Sequence, residues 1–208
     1  MKACATSPDV SETTSGAGLP LDLKVVIAGS FGVGKTTLVD TLSETGVLHT
    51  EEVMTTASTA TDHLDDATDK TTTTVAMDFG KITFTSPRYM VLYLFGTPGQ
   101  DRFDYLWDDV LLGALGVVVL VDTRCLASSF RTVTWCEQRQ VPFIVAVNAF
   151  DGAHRYSPDE IRHALGLAAF VPIITCDVRH YEPARAALTS LVSHSLHLRR
   201  AAAPGARR

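Results

Sequence analysis

Apolar residues along the chain fall into short, nearly continuous runs separated by longer stretches in which they recur every three or four positions. The runs, rich in β-branched residues, predict buried strands, and the spaced stretches predict amphipathic helices. Strands are expected at Leu23–Gly29, Val117–Asp122, Pro142–Asn148 and Val171–Thr175. Helices are expected at Lys35–Glu44, Gln100–Gly113, Ser128–Arg139, Pro158–Leu165 and Pro183–Leu198, with Ser157 as a cap ahead of Pro158. Met77–Thr85 and Tyr89–Phe95 flank Ser86-Pro87-Arg88, a short turn that predicts an antiparallel hairpin. This alternation implies an α/β fold with a mostly parallel sheet and helices on both faces. Ligands of such sheets collect at the carboxyl ends of the strands.

Composition narrows the classes. The 208 residues suffice for one domain, expected over 21–198, with a flexible tail at 1–20 and a flexible basic tail at 199–208. Residues 54–74 hold nine threonines and little periodicity; a functional loop and a disordered insert both fit. A net charge of −5 argues against a nucleic-acid or anionic-membrane binder. Cys4, Cys125, Cys136 and Cys176 have no C-x-x-C spacing, which suits reduced thiols and a cytoplasmic protein. The longest apolar run, Leu111 to Val121, is broken by glycines and is too short for a membrane span. No charged-then-apolar signal opens the chain, and Lys2 stands where myristoylation would need glycine. Membrane association is therefore expected only through partners.

The strongest chemical signal lies between the first strand and the first helix. Gly29-Ser30-Phe31-Gly32-Val33-Gly34-Lys35-Thr36 spells G-x-x-x-x-G-K-T in the strand–loop–helix context of a phosphate-binding loop. Glycines at 29, 32 and 34 let backbone N–H groups ring a β-phosphate, and the helix entered through Thr37 adds its positive end. Lys35 would reach the β- and γ-phosphates, and the Thr36 hydroxyl would ligate Mg²⁺. The plainer alternative is a chance turn.

Four further segments bear on the nucleotide. Asn148-Ala149-Phe150-Asp151 resembles the N-K-x-D guanine-specificity motif of small GTPases, with alanine in place of the lysine that packs over the base. A carboxylate at Asp151 can accept from guanine N1–H and the exocyclic amine, a donor pair that adenine lacks. Asn148 would brace the phosphate loop. A strand-end asparagine followed by an Asp-Gly turn is the alternative. Thr175-Cys176-Asp177 takes the place of the family's S-A-K loop, where the backbone N–H of Cys176 would meet guanine O6. Gly96-Thr97-Pro98-Gly99-Gln100-Asp101-Arg102-Phe103 resembles the D-T-A-G-Q-E-R-F element. By that resemblance Gly99 N–H would bond the γ-phosphate and Gln100 would orient the attacking water. Gly96 replaces the aspartate that holds Mg²⁺ through water, and nothing within the motif substitutes for it. Asp78 and Asp122 belong to neighbouring strands, but the sequence does not place either at the metal. Thr74-Val75-Ala76-Met77-Asp78-Phe79 resembles a switch I run, with Thr74 as a second Mg²⁺ ligand and its register open by a residue or two; a solvated threonine loop is the alternative.

Taken in order across residues 23–178, these segments resemble a bacterial Ras-like small GTPase. The Gly-Thr-Pro-Gly-Gln variant is similar to the gliding-motility GTPases. Three stretches resemble the conservon-encoded GTPases of actinomycetes more nearly: the phosphate loop, Thr73-Thr74-Val75-Ala76-Met77-Asp78-Phe79-Gly80, and Gly113-Ala114-Leu115-Gly116 onward. The resemblance implies a P-loop NTPase fold, a Ras-like three-layer sandwich with a mostly parallel six-stranded sheet and one antiparallel edge strand. It implies a GTP-binding switch that hydrolyses GTP with Mg²⁺, Lys35 and Gln100 being catalytic, and partners of the Roadblock type together with a sensor-kinase-like protein. A non-hydrolysing scaffold and an ATP-dependent P-loop NTPase are the rival readings. Arg102, Arg124 and Arg131 are each available to the γ-phosphate, although solvation suits each of them better.

Overall fold

The computed structural model describes residues 21–46, 48–54, 73–86, 89–99 and 105–202. Its strands are β1 (Leu21–Ala28), β2 (Leu48–Met54), β3 (Thr73–Phe84), β4 (Met90–Gly96), β5 (Ala114–Val121), β6 (Phe143–Asn148) and β7 (Ile173–Cys176). They form one sheet in the order β2-β3-β4-β1-β5-β6-β7. β1 lies parallel to β4 and β5, β5 to β6, and β6 to β7, whereas β3 runs antiparallel to both β4 and β2. Six strands thus share one direction and β3 opposes them, as expected of the α/β class. The opposing strand stands second from the edge, because β2 pairs outside it.

The helices are α1 (Lys35–Leu42), α2 (Tyr105–Leu111), α3 (Phe130–Gln138), α4 (Pro158–Leu165) and α5 (Tyr181–Ala202), with a 3₁₀ segment, Thr123–Ser129, leading into α3. The period-2 geometry of strands sorts the apolar runs onto two faces. Val25 and Ile27 of β1, Val118 and Leu120 of β5, and Ile144 and Ala146 of β6 join a core with α1 and α5. The intervening Val26, Ala28, Val117, Val119, Val145 and Val147 join a second core with α2, α3 and α4. The result is a three-layer sandwich with its central strands buried on both faces. In α1, Leu38, Val39 and Leu42 are almost wholly buried, each contributing about 1.5–3 kcal/mol by burial. That packing fixes where α1 begins, and so where the phosphate loop ends.

Several boundaries differ from expectation. β3 begins at Thr73, ahead of the expected Met77, so part of the threonine-rich stretch is strand. α5 continues to Ala202 rather than ending at Leu198, which makes Arg199–Ala202 helical rather than part of the basic tail. Alanine and arginine are among the best helix formers, so nothing local stops the helix there. Ser157 caps α4 as expected, with Glu160 completing a reciprocal capping box. Residues 1–20, 55–72 and 203–208 lie outside the described residues. Among the described residues, no helix is long and apolar enough to cross a membrane.

Candidate nucleotide site

β1 lies between β4 and β5, at the point where the strand order changes sides: β2 to β4 stand on one side of it and β5 to β7 on the other. Ligands of open α/β sheets bind beyond the carboxyl end of such a strand, and the glycine-rich loop begins there. Gly29, Gly32 and Gly34 all have positive φ, at 149°, 75° and 103°. Gly34 also permits a close approach, since a Cβ there would lie 2.7 Å from Asn148 Nδ2. It is the left-handed N-cap of α1, and the helix starts at Lys35 with Leu38 N–H donating to Gly34 O. Ser30, Phe31 and Val33 complete the loop: Val33 is buried in the core, while Phe31 is an exposed ring. Thr37 lies in the first turn of α1. Loop and helix start thus have the backbone geometry that an anion cradle would need.

Lys35 is buried, and its Nζ donates to Gly29 O and Ser30 O at 2.8 Å each. Burial pushes its amine down to about 8, against the attraction of the nearby Asp78 charge. Gly99 closes over the same point, as a Cβ there would lie 2.6 Å from Lys35 Nζ. Lys35, Thr36 and Gly99 border one cleft of about 340 Å³ with Asp78 and Thr97. Trp107 of α2 fixes the segment before it by donating from Nε1 to Pro98 O at 3.2 Å, and packs edge-on to Trp135.

The sequence placed neither Asp78 nor Asp122 within the site; the fold brings Asp78 to Thr36. Asp78 on β3 pairs in register with Gly96 on β4. Its Oδ2 accepts a 2.6 Å hydrogen bond from the Thr36 hydroxyl. A Cβ at position 96 would stand 3.0 Å from both Cβ and Oδ2 of Asp78. Position 96 is therefore tight for any side chain, because the carboxylate arrives from the adjacent strand. Thr97 Oγ1 is buried beside them and has no hydrogen-bond partner among the described residues. Thr36 hydroxyl, Asp78 carboxylate and Thr97 hydroxyl are all oxygen donors, which fits Mg²⁺, a cation commonly bound through one or two protein carboxylates and substrate phosphates. No cluster of three His, Cys, Asp or Glu side chains that would hold a metal unaided occurs among the described residues.

Thr74 is not brought to this point. It lies on β3 opposite Val53, four residues before Asp78, about 13 Å away at roughly 3.3 Å per strand residue. Gln100, the expected water-positioning residue, lies outside the described residues, as do Arg102 and Phe103. Arg124 is engaged elsewhere: it forks onto Asp122 at 2.7–3.1 Å and lies over the Phe150 ring.

The loops after β6 and β7 meet at Asn148. Its Nδ2 donates to Val33 O at 3.0 Å, and its Oδ1 accepts from Val178 N–H at 3.3 Å, tying the phosphate loop to the segment after β7. Cys176, opposite Asn148 in register, accepts Ala149 N–H on its carbonyl, and burial raises its thiol to about 11. Asp151 stands at the exposed end of this region, where Arg179 grips both of its oxygens at 2.8 and 3.0 Å. Those hydrogen bonds, followed by the guanidinium charge, hold its carboxyl below the usual range. Arg179 carried no sequence signal, since its partner lies 28 positions away.

Comparison with known proteins agrees on the class of ligand. An uncharacterized protein of Methanocaldococcus jannaschii is 27% identical over 133 residues, spanning 62% of this chain and 71% of the archaeal one. A family model described as "Conserved hypothetical ATP binding protein" matches residues 27–198, from the end of β1 into α5. A P-loop on a mostly parallel sheet, read with that match, supports nucleotide binding by this chain. The chain belongs to that family of conserved hypothetical ATP-binding proteins.

Proposed function

We propose that the chain binds a guanine nucleoside triphosphate with Mg²⁺ and hydrolyses it, acting as a switch within a signalling complex. The observation that carries the guanine reading is Asn148. One buried amide at the end of β6 joins the phosphate loop to the β7 segment, with a carboxylate three residues on, in the order a guanine site requires. In the reaction, water attacks the γ-phosphorus, the bond to the β-phosphate bridging oxygen breaks, and nucleoside diphosphate and phosphate leave. Lys35 and the loop N–H groups stabilise the charge that builds on the phosphates, Gly99 N–H faces the γ-phosphate, and Gln100 orients the water. Thr36 and Asp78 would hold Mg²⁺, which neutralises phosphate charge when bound. Asp78 supplies the carboxylate whose absence at position 96 otherwise favours a non-hydrolysing scaffold. Roadblock-type and sensor-kinase-like partners rest on resemblance alone.

A second reading, an adenine-nucleotide NTPase, draws support from the family's description and from the engagement of Asp151 by Arg179. Displacement of a fluorescent GDP from the purified protein separates the two. GTP is expected to compete at least about tenfold better than ATP, and equal competition would remove the guanine reading. Single-turnover hydrolysis of bound GTP, with and without Mg²⁺, then separates an enzyme from a scaffold.

A further inference from the structure

The two loops at the exposed end of the site share one guanidinium. Arg179 donates from Nη1 to Asp151 Oδ2 at 2.8 Å and from Nη2 to Asp151 Oδ1 at 3.0 Å. Its other edge donates from Nε to Asp177 Oδ1 at 2.9 Å and from Nη2 to Asp177 Oδ2 at 2.7 Å. Asp177 is itself fixed by a local turn, its Oδ1 accepting from the Arg179 backbone N–H at 3.0 Å. Val178, between them, is buried in the core and bonded to Asn148. The guanidinium is thus anchored from the β7 side and reaches across to the loop after β6.

We infer that Arg179 is a latch on the base-reading carboxylate: it offers Asp151 the same planar two-donor edge that guanine offers, so a guanine nucleotide must displace it there and an adenine nucleotide does not engage it. The inference rests on the guanine reading of Asp151. Guanine N1–H and its exocyclic amine form two parallel donors to one carboxylate, as Nη1 and Nη2 now do. Adenine brings one amine donor and a ring nitrogen that is itself an acceptor, which would face a carboxylate oxygen. Release from Asp151 does not strand the guanidinium, because the Nε–Nη2 edge keeps its fork on Asp177. Asp177 stays ionised to perform that task, held down to about 2 chiefly by its hydrogen bonds from Arg179. Access is open, since the Asp151 side chain is 84% exposed and that of Arg179 is 50% exposed. The latch therefore competes only with a base that bonds Asp151: its cost falls on guanine affinity, and adenine, which makes no bond there, neither meets that cost nor gains from its removal.

An exposed fork of this kind is weak, so the expected effect is small but directional. GDP and ADP dissociation constants, measured by calorimetry on the full chain, test it across wild type, R179A, R179K, D151A and the D151A/R179A double variant. R179A is expected to tighten GDP about three- to fivefold and to leave ADP unchanged. R179K keeps a charge near Asp177 but loses the two-donor edge, and should follow R179A. The gain should vanish when D151A is already present. GDP binding unchanged or weakened in both R179A and R179K, with the GDP-over-ADP preference still lost in D151A, overturns the latch alone. A GDP-to-ADP ratio that D151A does not alter overturns the guanine reading and the latch with it.

Discussion

The phosphate end and the base end of the site are built from different materials. At the phosphate end Lys35, Asp78, Thr97 and Asn148 are each buried to 8% exposure or less, and the loop's geometry is backbone held between β1, β5 and α1. At the base end Asp151 and Arg179 are surface side chains gripping one another. A buried polar group is coupled to the fold, because losing its partner leaves an unsatisfied donor or acceptor out of water. An exposed pair contributes little to stability, and solvent screens it. Substitutions at the phosphate end should therefore change both stability and binding, each in its own direction, and those at the base end should change binding alone.

Lys35 offers the largest effect. Lys35→Met removes the cation that would face the phosphates, and nucleotide affinity should fall by roughly a hundredfold or more. The nucleotide-free protein should nevertheless become more stable at pH 7. Holding the buried amine at about 8 rather than at its ordinary value near 10.5 corresponds to about 3 kcal/mol against folding. Losing the bonds to Gly29 O and Ser30 O returns part of that, which leaves a gain of about 1–2 kcal/mol. Urea unfolding with and without nucleotide reads both. A variant that loses binding and stability together would mean that the lysine supports the loop rather than straining it.

Asp78 and Gly96 come next, because they test whether a carboxylate can be moved between strands. Asp78→Asn should weaken the Mg²⁺-dependent part of nucleotide binding by about tenfold while leaving binding in chelator unchanged. Gly96→Asp, by adding a side chain where 3.0 Å is available beside a like charge, should destabilise the fold by about 1–3 kcal/mol. The double variant D78G/G96D removes the clash and should recover both stability and Mg²⁺ dependence. If it recovers stability but not Mg²⁺ dependence, Asp78 does more than supply a charge.

Asn148 and Asp151 set the two ends directly against each other. Asn148→Ala leaves Val33 O and Val178 N–H without partners, and should cost about 1–3 kcal/mol of stability as well as several-fold in affinity for every nucleotide. Asp151→Ala should leave the melting temperature unchanged and alter only the choice between guanine and adenine. Equal losses of stability in the two variants would erase the distinction.

Legibility in the sequence followed the same division. The phosphate loop could be read because it is continuous: eight adjacent residues state both the backbone angles and the chemistry. The central strands could be read because burial on both faces leaves β-branched runs such as Val117–Val121. β2 could not, since Leu48-His49-Thr50-Glu51-Glu52-Val53-Met54 is an edge strand with charged residues and no apolar run. Asp78 was visible as a residue but not as a neighbour of Thr36. Its place opposite Gly96 depends on the register of the β3–β4 pair, and shifting a pairing by one residue turns the side chain to the other face. The glycine at 96 read as a deficiency when the site was taken as one strand's motif; across two strands it is the space the carboxylate fills. Arg179 was invisible because recognition by a surface arginine requires only that two loops end near each other.

The smallest effect to seek is a pH dependence with opposite signs in the free and bound protein. The Lys35 amine has a native value lowered to about 8, so its charged form is disfavoured on folding, and that cost is fullest below pH 8. As pH rises from 8 toward 10.5 the native amine loses its proton before the unfolded one does, and the cost is relieved. Nucleotide-free protein should gain about 0.8 kcal/mol of stability between pH 7 and 8.5 relative to Lys35→Met measured alongside it, which cancels the titration of other groups. Bound phosphates favour the ammonium form, so binding above pH 8 must take up a proton. Affinity for GDP without Mg²⁺ should therefore fall about fourfold over the same interval. Lys35→Arg keeps its charge throughout and should show neither slope. A wild-type affinity that stays flat to pH 8.5 while stability rises would mean that the phosphates do not meet this amine, and the strain held at the phosphate end would serve some contact other than the nucleotide.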